Sequence, residues 1–275
     1  MTDTPIRVLV VDDSAFARKV LRQVLSAAPG ITVVDTARDG LDALEKISAL
    51  HPDVVTLDLL MPHLDGLGVL RSLAGAASPR VVVVSSAGEE SELAVSALQA
   101  GAVELVHKPT ALATDRLYEL GAELVAKVKT AAGAVVRPPV EFQPAAKPGS
   151  PVVATGRRLV VVGTSTGGPG ALTRLLACLP ADFPAPLALA LHIPAGYTEA
   201  LARRLGAQSS LEVLEAEEGM ELRPGRAVLA RAGMHLRVER DGDQAWARLG
   251  MVPLKTPHHP SVDVLFESAA VGWSA

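Results

Sequence analysis

The sequence predicts an α/β protein of two domains, each built around a mainly parallel β-sheet. Three observations support this. Short apolar runs of Val, Leu and Ile alternate with amphipathic segments, turn residues bound each run, and a proline-rich stretch separates one such series from a second. Nearly continuous apolar runs are typical of strands buried on both faces, as in parallel sheets. At 275 residues the chain is long enough for two domains with separate cores.

The first series predicts a domain over residues 1–130. Its apolar runs alternate with helical patterns such as SAFARKVLRQVLSAA and ESELAVSALQAG. Five β-α units of this size predict an open, five-stranded parallel sheet of flavodoxin-like strand order, with helices on both faces. The predicted strands are RVLVVD (7–12), ITVVDTA (31–37), VVTLD (54–58), RVVVVS (80–85) and AVELVHK (102–108).

The second series predicts a Rossmann-like, doubly wound α/β domain over residues 157–275. Residues 131–156 come before it; they contain five prolines and no periodicity, so we predict a linker there. The second domain opens with RRLVVVG and APLALALH, each followed by a helical pattern. It continues through shorter strands or hairpins (EVLEA, RAVLA, HLRVER, QAWARLG) to a helix over 261–272.

Composition excludes several classes of function. A formal charge of −4, with no basic run, gives no attraction to nucleic acid. The single cysteine, Cys178, excludes an intramolecular disulfide. The N-terminus lacks the pattern of a signal peptide, and no apolar run is long enough to span a membrane. We therefore expect a cytoplasmic protein without direct membrane insertion.

Polar side chains stand at the carboxyl ends of four strands in the first domain, where doubly wound sheets bind ligands. They are Asp12 and Asp13, Asp58, Ser85 and Lys108. Any one of them has an ordinary structural explanation, since an Asp after a strand is often a helix cap and a lone Lys is usually solvated. As a set they predict an acidic pocket that binds Mg²⁺ and whose carboxylate attacks phosphorus to give an acyl phosphate.

The motifs VDDS, TLDLLMPHLDG, VVVVSSAG and HKP make residues 5–125 resemble a response-regulator receiver domain. The resemblance implies that Asp58 is the phosphorylated residue. It also implies that Asp12 and Asp13, with Asp58, hold the Mg²⁺ that phosphorylation requires.

The resemblance also assigns the residues that respond to the phosphate. Ser85 and Lys108 stand where the family has its switch hydroxyl and its lysine. Leu105 stands where the family has a switch aromatic residue. We therefore expect hydroxyl movement and loop repacking, rather than a turning ring, to carry the signal.

The second domain begins with a candidate nucleophile. Residues 163–167 read Gly-Thr-Ser-Thr-Gly, between a predicted strand and a helix that begins near Pro169, which is the setting of a nucleophile elbow. Small neighbours, including Gly167 and Gly168, would let a substrate approach the backbone. His192 ends the next predicted strand, and parallel pairing would bring it beside Ser165 as a base.

Two other interpretations of this turn remain open at this point. A glycine-rich turn of this kind can bind a dinucleotide, but that function needs an acidic residue where His192 stands. The second interpretation is structural: the glycines make a tight turn, and His192 is a residue at the edge of the sheet.

The motifs VVVGTSTGGPGAL, LALALHIPAGYTEALARRL and HHPSVDVLFESAA resemble the catalytic domain of CheB protein-glutamate methylesterases, from about residue 158 to the last. The resemblance implies that Ser165 is the nucleophile and His192 the general base. The implied reaction removes methyl esters from glutamate side chains, and deamidates certain glutamines, without a cofactor.

The two resemblances together imply a phosphorylation-activated hydrolase of two-component signalling that serves chemotaxis adaptation. Its substrate would be the cytoplasmic helices of methyl-accepting chemoreceptors, and a chemotaxis histidine kinase would donate the phosphoryl group. Four polar residues belong to the third motif, and we assign them no chemistry: His258, His259, Ser261 and Asp263. Three other histidines are expected to be solvated or structural: His51, His63 and His235.

One family feature is not found in the sequence. The family's third catalytic residue is an aspartate in a loop of the form G-M-G-x-D-G, and no such motif follows His192. Asp243 lies in a predicted polar turn and Asp263 early in a predicted helix, so neither replaces it. We therefore expect an incomplete esterase domain and a fragment of a longer protein. The alternatives are a truncated enzyme, a non-catalytic phospho-receiver that binds receptor, and a related regulator acting on another ester.

Overall fold

The structure is a computed structural model that describes residues 4–73, 78–85, 91–108, 114–134 and 158–273, with only the backbone described for 114–120. The chain divides into two compact units, Met1–Val140 and Glu141–Ala275. Most of the predicted linker, 131–156, lies outside the described residues. No helix in the described part of the chain is both long and apolar enough to cross a membrane.

The first unit alternates strands and helices along its whole described length. Ser14 and Asp39 cap the first two helices by accepting a backbone N–H through their side chains. In chain order the elements are β1 (Ile6–Val11), α1 (Ala15–Ser26), β2 (Ile31–Ala37), α2 (Gly40–Leu50), β3 (Val54–Leu57), α3 (Gly66–Ser72), β4 (Arg80–Ser85), α4 (Ser91–Gln99), β5 (Glu104–His107) and α5 (Thr114–Ala132).

The five strands form one parallel sheet in the order β2-β1-β3-β4-β5. This confirms the five-stranded parallel sheet and flavodoxin-like order expected from the sequence. Helices α1 and α5 pack together on one face, where alternate strand residues such as Val8 and Val10 meet Leu25 and Leu124 in a buried cluster. The contacts of α2 with α3, and of α3 with α4, show the second helical layer.

Helix α5 continues slightly past the start of the predicted linker. Residues 131 and 132 are the last two residues of α5, and Ala131 is buried in the core that α1 and α5 share. The sequence AAG at 131–133 contains no proline, so nothing ends the helix before Ala131 is packed in this core.

The second unit combines a parallel sheet with a smaller antiparallel one. Its elements are β6 (Val160–Thr164), α6 (Gly168–Ala177), β7 (Leu187–Leu191), α7 (Thr198–Ala207), β8 (Glu212–Glu215), β9 (Glu221–Leu222), β10 (Arg226–Leu229), β11 (His235–Asp241), β12 (Gln244–Gly250) and α8 (Val262–Trp273). The parallel sheet has the order β6-β7-β10-β8, and the antiparallel sheet has the order β11-β12-β9.

The two faces of the parallel sheet are covered differently. Alternate residues of β7 point to opposite faces. Ala188 and Ala190 pack against the antiparallel sheet and Leu265 of α8, while Leu191 points toward the start of α6. The α/β class is therefore confirmed, but an antiparallel sheet takes a large part of one helical layer. Small side chains on that face allow the second sheet to pack closely.

Candidate functional site

An acidic pocket lies at the carboxyl edge of the first sheet. Strands β1 and β3 are neighbours, so Asp12 and Asp58, which directly follow them, come together. Both are buried, with 0% and 5% of their surface exposed, whereas Asp13 is exposed. One carboxylate oxygen from each of the three lies within 4.8 Å of the others. The sequence prediction that these residues meet is correct.

Lys108, which follows β5, reaches the same pocket. Its Nζ lies 2.7 Å from Oδ2 of Asp12 and 2.7 Å from Oδ2 of Asp58. Three carboxylates and one ammonium leave an excess of negative charge among hard oxygen donors, and this arrangement fits a divalent cation such as Mg²⁺.

The electrostatics of the pocket depend on burial. Burial raises the pKa of Asp58, the nearby Asp12 charge acts in the same direction, and Lys108 opposes both. For Lys108, burial disfavours the charged form, but its hydrogen bonds to Asp12 and Asp58 outweigh that effect and raise its pKa. Lys108 is therefore held charged, and a further cation would relieve the remaining repulsion.

Backbone contacts hold the acidic side chains in place. Asp12 accepts a hydrogen bond from the backbone N–H of Ser14, at 2.9 Å, and Asp58 accepts one from that of Leu59, at 2.7 Å. Arg18 of α1 donates to the carbonyl oxygens of Asp12 and Asp13, at 2.7 and 2.9 Å. Arg18 could not be identified from the sequence, because a basic residue on an amphipathic helix gives no signal of this contact.

The predicted switch residues Ser85 and Leu105 are both buried, in neighbouring strands of the first sheet. Ser85 is the last residue of β4, is buried, and pairs with His107 of the neighbouring strand β5. Leu105 is also buried. The Leu105 side chain packs in the core of the sheet, and the expectation that the signal does not use an aromatic ring stays a prediction.

The second site lies at the carboxyl edge of the parallel sheet in the second unit. Strands β6 and β7 pair in parallel, with Thr164 opposite Leu191, so Ser165 and His192 both follow the ends of neighbouring strands. The backbone N–H of His192 donates to the carbonyl of Thr164 at 3.2 Å. The Nδ1 atom of His192 lies 3.2 Å from Oγ of Ser165. The structure thus brings together the two residues that the sequence predicted as nucleophile and base.

The glycines of the turn have different roles. Gly167 adopts a left-handed φ of 73° and directly precedes α6. Apart from Gly167 and its two chain neighbours, no described residue has an atom within 4 Å of the point where a Gly167 side chain would begin, so that side of the turn is open. At Gly168 a Cβ would lie 2.4 Å from Cδ1 of Leu191. Gly168 therefore lets α6 pack closely on β7 and, contrary to the expectation from sequence, is not part of the open surface.

A second imidazole covers the ring of His192. The centroids of the His192 and His258 rings are 4.0 Å apart, with an angle of 28° between the ring planes. His258 belongs to the segment 251–261 between β12 and α8, and no chemistry was expected of it from the sequence. The only sequence signal was its place in the HHP motif, which says nothing about the residue it contacts.

The other residues considered from the sequence lie in the elements expected of them. The residues Gly242 and Asp243 form the turn between β11 and β12, and Asp263 is in the first turn of α8. His51 ends α2 in a left-handed conformation, and His63 contacts Asp39 through Nδ1 at 3.1 Å. His235 is fully buried and bonded to backbone groups, as a structural histidine would be.

The fold and the two sites define a class of protein: an α/β signalling hydrolase with a receiver-type acidic pocket in one unit and a serine–histidine pair in the other. Family models match both parts, the response regulator receiver domain over residues 8–119 and the CheB methylesterase over residues 160–275.

Curated relatives match almost the whole chain. The protein-glutamate methylesterase/protein-glutamine glutaminase 5 of Myxococcus xanthus is 73% identical over 99% of this chain and 79% of its own length. The enzyme of that name from Symbiobacterium thermophilum is 45% identical over 98% of this chain and 78% of its own length. A crystal structure of the response regulator domain of Thermotoga maritima CheB has 40% identity and a TM-score of 0.44, covering 47% of this chain and 98% of that one.

The chain belongs to the protein-glutamate methylesterase/protein-glutamine glutaminase family and is a hydrolase with a receiver domain. This membership depends on the sequence matches along nearly the whole chain, and it favours the enzymatic interpretation over the non-catalytic one.

Proposed function

We propose that the second unit hydrolyses methyl esters of glutamate side chains, with Ser165 as the nucleophile and His192 as the general base. The observation that supports this most directly is the 3.2 Å separation of Ser165 Oγ and His192 Nδ1 at the open edge of the sheet. It is within reach of a proton transfer between the two side chains. The names of the relatives give the substrate class.

The reaction follows from this geometry. Ser165 Oγ attacks the ester carbonyl while its proton passes to Nδ1 of His192, and the collapse of the intermediate expels methanol, which takes that proton. Water then hydrolyses the acyl-enzyme, with His192 again accepting a proton, to give the free glutamate and restore Ser165. With a glutamine side chain the leaving group is ammonia. The positive end of α6 begins directly after the turn, where it would stabilise the charge that develops on the carbonyl oxygen.

The test of the hydrolase is methanol release from methylated chemoreceptor. Ser165→Ala should abolish release, because it removes the oxygen that attacks the ester and that contacts His192. Ser48→Ala, an exposed change on α2, should leave it unaffected. Methanol release that persists in Ser165→Ala would exclude Ser165 as the nucleophile.

We further propose that the first unit controls this activity by phosphorylation of Asp58. Asp12 and Asp13 would hold Mg²⁺ together with Asp58, and the bound ion would neutralise the charge of the phosphoryl oxygens. Lys108 and Ser85 would bind the remaining phosphoryl oxygens. The charged, partly buried Lys108 between the buried Asp12 and Asp58 supports this assignment. A chemotaxis histidine kinase would be the phosphodonor, and the cytoplasmic helices of chemoreceptors would be the substrate.

Asp58→Asn tests the control by phosphorylation. With acetyl phosphate and Mg²⁺, the unchanged chain should take up phosphate and release methanol faster, whereas Asp58→Asn should do neither and keep its basal rate. Glu45→Gln removes an exposed carboxylate from α2 and should behave like the unchanged chain. Activation of Asp58→Asn by acetyl phosphate would show that another residue carries the signal.

A further inference from the structure

The ring of His258 stacks on the ring of His192, which the proposed reaction uses as its base. The 4.0 Å centroid separation and the 28° angle describe two nearly parallel rings in contact. A stacked ring fixes the plane of its neighbour, because a tilt of the His192 ring out of this plane breaks the contact between the two ring faces. In the structure, the atom that faces Ser165 is Nδ1.

The segment that carries His258 is fixed from inside the unit by His235, the first residue of β11. His235 is fully buried. Its Nδ1 accepts a hydrogen bond from the backbone N–H of Ser261 at 3.1 Å, and its Nε2 lies 3.0 Å from the carbonyl oxygen of Pro253. A backbone N–H can only donate and a carbonyl can only accept, so His235 carries its proton on Nε2. One neutral imidazole thus ties the two ends of the segment together.

Further contacts hold the residues next to His258. The ring of His259 lies against that of His235, with centroids 4.5 Å apart, and the carbonyl of His259 accepts a hydrogen bond from Gly233 at 2.9 Å. Thr256 donates to the carbonyl of His258 at 3.1 Å. The backbone on both sides of His258 is therefore fixed. The His258 ring can restrain the His192 ring only because its own backbone is held in place.

We propose that His258 is a positioning residue that holds the ring plane of His192 in the orientation in which Nδ1 can reach Oγ of Ser165. This inference rests on the proposed function of the Ser165 and His192 pair. It assigns His258 no proton transfer: the ring acts by its flat surface, and a phenylalanine could replace it.

Two measurements test the proposal, one of them independent of catalysis. In the NMR spectrum, His258→Ala should move the ring proton signals of His192 downfield, because the shielding by the stacked ring is lost, and His258→Phe should keep them shielded. In methanol release, His258→Ala should lower kcat by about tenfold to 10²-fold with little change in KM, since a small misplacement of a catalytic group has losses of this size. His258→Phe should recover most of the lost kcat.

Lys255→Ala is the matched control, because Lys255 is exposed on the same segment. It should change neither the NMR signals nor kcat. The proposal is overturned if His258→Ala leaves kcat unchanged, or if His258→Phe is as slow as His258→Ala. Should the unchanged chain release no methanol, the proposed function fails. The inference about His258 is then decided by two other measurements on the same variants. These are the NMR shift of the His192 ring protons and the rate at which a fluorophosphonate labels Ser165, which replaces kcat.

Discussion

Lys108 forms an ion pair with Asp58, in which Nζ of the lysine lies 2.7 Å from Oδ2 of the aspartate. The same ammonium lies 2.7 Å from Oδ2 of Asp12. All three side chains are less than a quarter exposed. In the absence of another cation, Lys108 is the group that balances the two buried carboxylates. It would also share those oxygens with any metal ion in the pocket.

Replacing Lys108 with Met should therefore make the stability of the first unit more dependent on Mg²⁺. Without the ion, the free energy of unfolding should fall by about 3 kcal/mol, because two buried carboxylates lose their partner. Adding Mg²⁺ should stabilise the variant more than the unchanged chain, since no ammonium competes for the oxygens. Urea denaturation with and without Mg²⁺ measures both effects.

Lys19→Met, an exposed change on α1, serves as the control and should behave like the unchanged chain. If Mg²⁺ raised the free energy of unfolding equally in the Lys108 variant and in the unchanged chain, the lysine and the ion would not share a site.

The acidic pocket could be predicted from sequence because its geometry follows from topology. Each of Asp12, Asp58 and Lys108 directly follows a buried apolar strand, and the carboxyl ends of parallel strands meet at one edge of a sheet. The same rule places Ser165 and His192 together, since β6 and β7 are consecutive parallel strands. No side-chain detail is needed for either prediction.

The contact between His192 and His258 could not be predicted in this way. His258 lies in a segment without regular structure, whose path depends on the burial of His235 and its bonds to Pro253 and Ser261. These contacts join residues far apart along the chain. For the same reason the antiparallel sheet that covers β7 was predicted only as short strands or hairpins, because its position depends on packing between sheets.

His192→Gln should slow the acylation of Ser165 at least about 10²-fold, which is the usual contribution of a general base. Glutamine retains a polar group of similar reach but cannot accept the proton at neutral pH. The rate of labelling of Ser165 by a fluorophosphonate, followed by mass spectrometry, measures acylation directly. Gln208→Ala, at the end of α7, is a control outside the pair. Labelling of His192→Gln at the unchanged rate would mean that another group activates Ser165.

The stability of the second unit should decrease as the pH falls below about 6.5. Burial lowers the pKa of His235 below its ordinary value of 6.5, the nearby His259 and Arg237 act in the same direction, and the bond to the Pro253 carbonyl opposes them. The unfolded chain therefore binds a proton at this position more readily than the folded chain does. The contribution of His235 is fully present above pH 6.5 and is lost as the pH falls from there through the lowered pKa.

His235→Gln separates this effect from the titration of other groups. The variant should be less stable than the unchanged chain near pH 8, because the bonds to Pro253 and Ser261 are disturbed. The difference in stability between the variant and the unchanged chain should become smaller toward pH 5. Only the unchanged chain loses stability there, because the variant has no imidazole to protonate at position 235. Thermal unfolding across this pH range gives the comparison. A difference that stays constant with pH would show that His235 does not titrate in the range.

Thr56→Val should stabilise the first unit, although it changes a residue in the centre of the sheet. Thr56 is fully buried in β3, and no described residue forms a hydrogen bond with its Oγ1. A buried hydroxyl without a partner costs desolvation energy, and valine has nearly the same shape, so the free energy of unfolding should rise by about 1 kcal/mol. Thr32→Val, on the exposed side of β2, should change it by less than about 0.5 kcal/mol. Urea denaturation distinguishes the two, and a loss of stability in Thr56→Val would mean that the hydroxyl is bonded in solution, most simply to a buried water.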